Sequence, residues 1–301
     1  MPEARSEPVL HDVKANDISL AYFEWGAHLR GVDATLLMVH ATGFHGRVWD
    51  QVVAHFPNRH VIALEQRGHG RSENAQFEGW AIFGRDLAAF AVAFDLMAVI
   101  GIGHSMGAHA LVQAAAFQPT RFARLILIDP VIVDPVLYHR APTPDGTIHP
   151  SSKRLNDFES PQAMFERFAD RPPYSGFAKQ TLLDYCNHAL KPSAQGLGYE
   201  LACSPLTEAK IYLTAVRNPG VYASVLALRN PVLLIRARLP KSEGKPDFSG
   251  SPTWPGLVSK VHSAREVYLP DRSHLAPMED PEGIAQLILE QLGADSKVHT
   301  T

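Results

Sequence analysis

The chain has 301 residues, enough for one large α/β domain, with the 46% hydrophobic and 20% charged content of an ordinary globular protein. A net charge of −3 gives no reason to expect nucleic acid or an anionic membrane as a partner, and no run of about 18 apolar residues is present to span a bilayer. Two cysteines, Cys186 and Cys203, exclude a disulfide framework and fit a reducing, cytoplasmic setting, and the polar stretch Met1–Pro8 does not read as a secretory signal.

In chain order, Val9–Val13 and Ile18–Trp25 read as two strands joined by a turn at Ala15-Asn16-Asp17. The apolar run Thr35–His40 is a buried strand ending in the loop Ala41-Thr42-Gly43-Phe44-His45-Gly46. A short amphipathic helix is expected over Trp49–Phe56, a strand over His60–Glu65, and a glycine-rich turn over Gln66–Ser72. Phe83, Leu87, Phe90 and Phe94 recur at helical spacing in Trp80–Phe94, the pattern of a helix packed on a sheet.

Next comes an apolar strand at Ala98–Gly103 that runs directly into Gly103-His104-Ser105-Met106-Gly107, followed by the strong helix former Ala110–Phe117. A serine wedged between strand and helix must take a sharp, strained turn that exposes its hydroxyl and aims the next amide, that of Met106, at whatever it attacks. Arg124–Pro130 is the following strand. Strands alternating with helices argue for a mostly parallel, doubly wound sheet.

From about Val133 to Ala223 the alternation stops. The segment is proline-rich, with helical pieces at Pro161–Ala169, Gln180–Ala189 and Glu208–Val216 and no clear strand. The sheet pattern resumes at Pro231–Arg236 and Arg265–Pro270, and a closing helix covers Pro281–Leu292. The expected organisation is therefore a core over 1–132 and 224–301, interrupted by a helical cap over 133–223.

Four motifs in this order resemble those of the α/β-hydrolase fold family in its capped branch. Val39–Phe44 looks like the loop after the third strand, Glu65–Ser72 like the Asp-x-Arg-Gly-x-Gly-x-Ser turn, Gly103–Gly107 like the nucleophile elbow, and Asp271–Pro281 like the loop of the catalytic histidine. The resemblance implies an eight-stranded, mostly parallel sheet with a helical cap, and no cofactor. It makes Ser105 the nucleophile and His274 the base, because a serine hydroxyl needs a base to take its proton. His104 is expected to pack around the elbow instead.

The acid is open between two residues. Arg236–Pro240 supplies no carboxylate at the family's usual position. Asp247 lies 27 residues before His274, a typical family separation that favours it; Asp129, at the end of the strand before the cap, is the rival, and Glu243 a third. The oxyanion donors implied are the amides of Thr42 and Met106, although Ala41 stands where the family usually has glycine. Phe44, His45 and Trp254 are candidates for the substrate pocket, with Phe165, Phe168, Tyr174 and Phe177 of the cap, although core packing is the commoner role for any single one.

The chemistry expected is cleavage of a carboxylic ester, thioester, lactone or carbon–carbon bond in a small-molecule substrate; a homodimer is compatible with it. Two readings from other classes stand beside it: a ligand sensor with slow or single turnover, and a cofactor-free oxygenase or perhydrolase.

Overall fold

The computed structural model describes residues 7–139, 146–240 and 248–293. Its strands are β1 (Val9–Ala15), β2 (Ile18–Trp25), β3 (Leu36–Val39), β4 (Val61–Leu64), β5 (Val99–His104), β6 (Phe122–Ile128), β7 (Asp157–Phe158), β8 (Leu190–Pro192), β9 (Tyr199–Leu201), β10 (Val232–Ala237) and β11 (Ala264–Leu269). The helices are α1 (Asp50–Val53), α2 (Ala81–Ala93), α3 (Met106–Phe117), α4 (Pro161–Phe168), α5 (Lys179–His188), α6 (Pro205–Leu213), α7 (Val221–Ala227), α8 (Ala276–Glu279) and α9 (Pro281–Gly293). No helix among the described residues is long and apolar enough to cross a membrane.

Eight strands form one sheet in the order β1-β2-β4-β3-β5-β6-β10-β11. The β1–β2 and β2–β4 pairs are antiparallel, and every pair from β4 to β11 is parallel. The central strands are apolar throughout because both sheet faces are covered. Leu37, Val39, Leu125, Leu127, Val232 and Leu234 join one core with α2, α3 and α7. Their neighbours Leu36, Met38, Ile126, Ile128, Leu233 and Ile235 face the other core with α1 and α9, the period of two that a pleated strand imposes.

The strand order reverses between β3 and β5, which pair directly through Val39 and Gly103. A crevice opens at such a switch point, beyond the carboxyl ends of the strands. The loops after β3, β5 and β6 all end there.

Two expectations are corrected. The helix expected over Trp49–Phe56 is a single 3-10 turn at Gly46–Trp49 followed by the four residues of α1. The segment between β6 and β10 was expected to carry no clear strand, yet it holds a three-stranded sheet in the order β7-β9-β8. Strands of two and three residues, one ending in Pro192, are too short to show an alternation.

Candidate active site

Ser105 sits between β5 and α3 with φ 57° and ψ −117°, a backbone that L residues rarely adopt. Its neighbours explain how this is tolerated. A Cβ on Gly103 would lie 2.7 Å from Ala108 backbone atoms, and one on Gly107 would lie 2.2 Å from the Val39 carbonyl oxygen. Only glycine at both places lets the first turn of α3 press against the end of β3. The Ser105 amide donates to Ile128 at 3.0 Å, tying the elbow to β6.

Asp129, the residue after β6, also has a positive φ, of 45°. The two strained residues thus end adjacent strands, and one side chain joins them. His274, in the loop between β11 and α8, has Nε2 2.9 Å from the Ser105 hydroxyl and Nδ1 2.6 Å from Asp129 Oδ2. An ionised carboxylate only accepts, so Nδ1 carries the proton and Nε2 accepts from the serine. All three side chains are buried; Ser105 and His274 are each 5% exposed. Asp247 and Glu243, the other acid candidates, lie outside the described residues. Clustered strain of this kind is characteristic of functional sites.

The His274 loop is braced from two sides. His104 Nε2–H donates to the His274 carbonyl at 2.7 Å, and burial, then the neighbouring His274, push His104 down to about 3, so it stays neutral. Glu279 accepts from the Ser273 amide at 3.0 Å and from the Ser273 hydroxyl, while Arg272 pairs with Asp280 at 2.9 Å.

The loop after β3 is held by two buried imidazoles. His40 Nδ1–H donates to the Ala41 carbonyl at 2.7 Å and its Nε2 accepts from the Gln66 amide at 3.1 Å. His69 Nε2 accepts from the Gly43 amide at 3.0 Å while its Nδ1–H donates to Arg67. Burial lowers both, His69 to about 4. The left-handed turn falls on Gly43 (φ 78°) rather than on Ala41, which is why alanine is accepted there. The Thr42 hydroxyl reaches Met106 Sδ at 3.4 Å, so this loop lies against the start of α3. Glu65, standing where the family pattern has aspartate, accepts from the Arg71 amide at 2.6 Å and pairs with its guanidinium at 2.9 Å.

The three pocket candidates separate. Phe44 lies 6.2 Å from Phe177 and 5.2 Å from Tyr185, and His45 stacks on Tyr185 at 5.5 Å. Trp254 instead packs on Tyr222 and Lys260, against the core on the opposite face of the sheet. Phe168 stacks on Tyr174 at 4.2 Å, and Phe165 packs against the core that Phe44 belongs to. Both cysteines are free and buried, and burial pushes the Cys186 thiol up to about 12.

One cluster was not expected from the sequence as a unit, and only its Tyr174 stood among the pocket candidates. Arg154 pairs with Glu208 and donates to Tyr174 Oη at 2.8 Å and Tyr185 Oη at 3.3 Å. The Glu208 carboxyl carbon lies 3.2 Å from where a Gly43 Cβ would be, so this ion pair abuts the loop after β3. On the other side, Phe248 lies 6.2 Å from both the Tyr212 and the His274 rings. Arg154, Tyr174, Tyr185 and Glu208 come from separate segments of the chain, and no local pattern announces their meeting. A surface groove of about 830 Å³ between α2 and α6 shares none of these residues. Among the described residues, no group of three or more His, Cys, Asp and Glu is placed to hold a metal ion.

Comparison with known proteins agrees with this architecture. The chain is 33% identical to the lipase LipV of Mycobacterium tuberculosis over 102 residues, 33% of this chain and 38% of that one. It is 33% identical to a non-heme chloroperoxidase of Streptomyces lividans over 102 residues, 33% of this chain and 36% of that one. It therefore spans well under half the length of these curated relatives. Among solved structures, an E-2-(acetamidomethylene)succinate hydrolase superposes with a TM-score of 0.70 at 19% identity, over 94% of this chain and 98% of that one, a likeness of fold. A sequence model of the alpha/beta hydrolase family matches residues 36–287, most of the chain, and the protein belongs to that family.

Proposed function

We propose that the protein is a serine hydrolase that cleaves an ester-like bond of a small molecule through an acyl-enzyme on Ser105. The observation that carries this reading is the hydrogen-bonded chain Ser105–His274–Asp129 at a strained strand-to-helix turn. In it, His274 Nε2 takes the serine proton as Oγ attacks the carbonyl, Asp129 stabilises the imidazolium, and the same proton goes to the leaving group. Water then repeats the sequence to release the acid.

The developing oxyanion would be met by the Met106 amide, which opens α3 and has no acceptor within its helix, and by the Thr42 amide beside it. One such donor contributes about 10²–10³-fold in kcat. The segment between β6 and β10, residues 133–223, acts as the cap, and its Tyr174, Tyr185 and Phe177 close over Phe44. With Ser105 and His274 each 5% exposed, the reaction would take place away from bulk water.

The test is hydrolysis of nitrophenyl esters of graded acyl length, with Ser105→Ala in parallel. Sustained turnover that is lost in the variant supports the reading, and its chain-length optimum sizes the acyl pocket; equal turnover by the variant overturns it. The chloroperoxidase similarity favours one second reading, perhydrolysis, in which hydrogen peroxide replaces water as the acceptor of the acyl group. Peroxide-dependent formation of a peracid from a short carboxylic acid, lost with Ser105→Ala, would identify it.

A further inference from the structure

The carboxylate facing His274 comes from the end of β6, so the chain after β10 is released from supplying it. That chain turns back over the site. The Ser251 amide donates to the Arg238 carbonyl at 2.7 Å, the His274 amide to the Phe248 carbonyl at 3.2 Å, and the Trp254 amide to Ile132 at 3.0 Å. The result brings two buried hydroxyls near Asp129: Ser251 and Thr253 are 5% and 2% exposed, and Asp129 is 1% exposed.

The two carboxylate oxygens then divide their work. Oδ2 accepts from His274. Oδ1 accepts from the Ala237 amide at 3.1 Å and from the Ser251 hydroxyl at 2.5 Å. The Thr253 hydroxyl lies 3.3 Å from Oδ1 but only 2.7 Å from the Pro130 carbonyl, and its single proton goes to the nearer acceptor. Thr253 contributes through its backbone instead, its amide donating to Ser251 Oγ at 3.1 Å. With a donor already at its oxygen, the Ser251 hydroxyl is left with its proton directed at Asp129. The chain Thr253 N–H to Ser251 O–H to Asp129 is a directed one, ending in a charge-assisted bond.

We infer that Ser251 is a positioning residue for the reaction: its hydroxyl fixes the rotation of the Asp129 carboxylate so that Oδ2 stays on His274 Nδ1. This rests on the reading of Ser105, His274 and Asp129 as the catalytic residues. It assigns a role to a serine that lies in no motif of the sequence. Loss of the hydroxyl leaves Oδ1 with the longer bond from the Ala237 amide alone, so the carboxylate rotation is held less firmly and the imidazole loses orientation while the substrate surface is untouched.

The experiment compares wild type with Ser251→Ala by steady-state hydrolysis and by the downfield proton resonance of His274 Nδ1–H. The expected result is a fall in kcat of about 10- to 100-fold with KM within about twofold, the size of one hydrogen bond to a charged group. The resonance is expected to shift or broaden as the bond to Asp129 weakens. A correctly folded variant with unchanged kcat and an unmoved resonance overturns the inference. Should the alanine variant not fold, Ser251→Cys keeps the shape, weakens the donor and reads the same two quantities. The resonance needs no substrate, so the two claims fail separately. A moved resonance in an enzyme whose Ser105→Ala form still hydrolyses esters sinks the hydrolase reading alone. An unmoved one in an enzyme that depends on Ser105 sinks the role of Ser251 alone.

Discussion

At Ser105 the backbone, not the side chain, is the unusual feature. The φ of 57° is imposed by the turn, and an alanine there meets the same geometry, so Ser105→Ala is expected to keep the fold. The expected outcome is a loss of kcat of about 10⁴-fold or more with the melting temperature shifted by only a few degrees, read by kinetics and thermal unfolding. Asp129→Asn keeps the shape but offers His274 an amide, which favours the wrong imidazole tautomer. A loss of about 10⁴-fold is expected for the same assay. Ser105 and His274 were legible because each lies in a local motif. Asp129 was less so: its role depends on β6 lying beside β5, and sequence separation pointed instead to Asp247.

Elements bring these residues together, and their contacts predict two failures. Gly107→Ala drives a methyl to 2.2 Å from the Val39 carbonyl, backbone that has no room to move. The expected cost is about 1–3 kcal/mol or more of stability together with a loss of activity, since the Met106 amide shifts with α3. The Arg154–Glu208 pair joins the turn before β7 to α6 against the loop after β3. Glu208→Leu alone leaves a largely buried guanidinium without its partner and is expected to destabilise by about 3–5 kcal/mol in a denaturant titration. Arg154→Met added to it recovers only part of that loss, because it removes the unpaired charge but also the donor to the Tyr174 and Tyr185 hydroxyls. Three helices of this region, α4, α5 and α6, were legible in the sequence, while α7, which crosses the expected boundary at 223, was not. Nor was the small sheet β7-β9-β8, because its strands hold too few residues to repeat.

At the scale of the whole molecule, several imidazoles are buried in the neutral form. Burial lowers His69 and His109 to about 4 and His104 to about 3, against an ordinary value near 6.5. The unfolded chain therefore binds protons that the folded one refuses between pH 6.5 and about 3–4. Stability is expected to be flat in these groups above pH 6.5 and to fall as the pH drops, each imidazole contributing up to about 1.4 kcal/mol per pH unit within that window. Urea midpoints measured from pH 7 to pH 4 check the sign, and His109→Gln, which keeps a side-chain amide for Val131 or Asn218, is expected to make the decline shallower.

The amino-acid sequence by itself determined the strand-and-helix alternation, the elbow around Ser105, the loops after β3 and β11, and the interruption between Ile128 and Pro231. Each is written in neighbouring residues, as apolar runs buried on two faces or as glycines that a turn requires. Only the tertiary structure decided that Asp129 faces His274, that Trp254 lies in a different core from Phe44, and that Arg154 and Glu208 gather with Tyr174 and Tyr185 beside Gly43. Those are contacts between residues far apart in the chain, set by the order in which strands pair and by how loops pack across the carboxyl ends of the sheet.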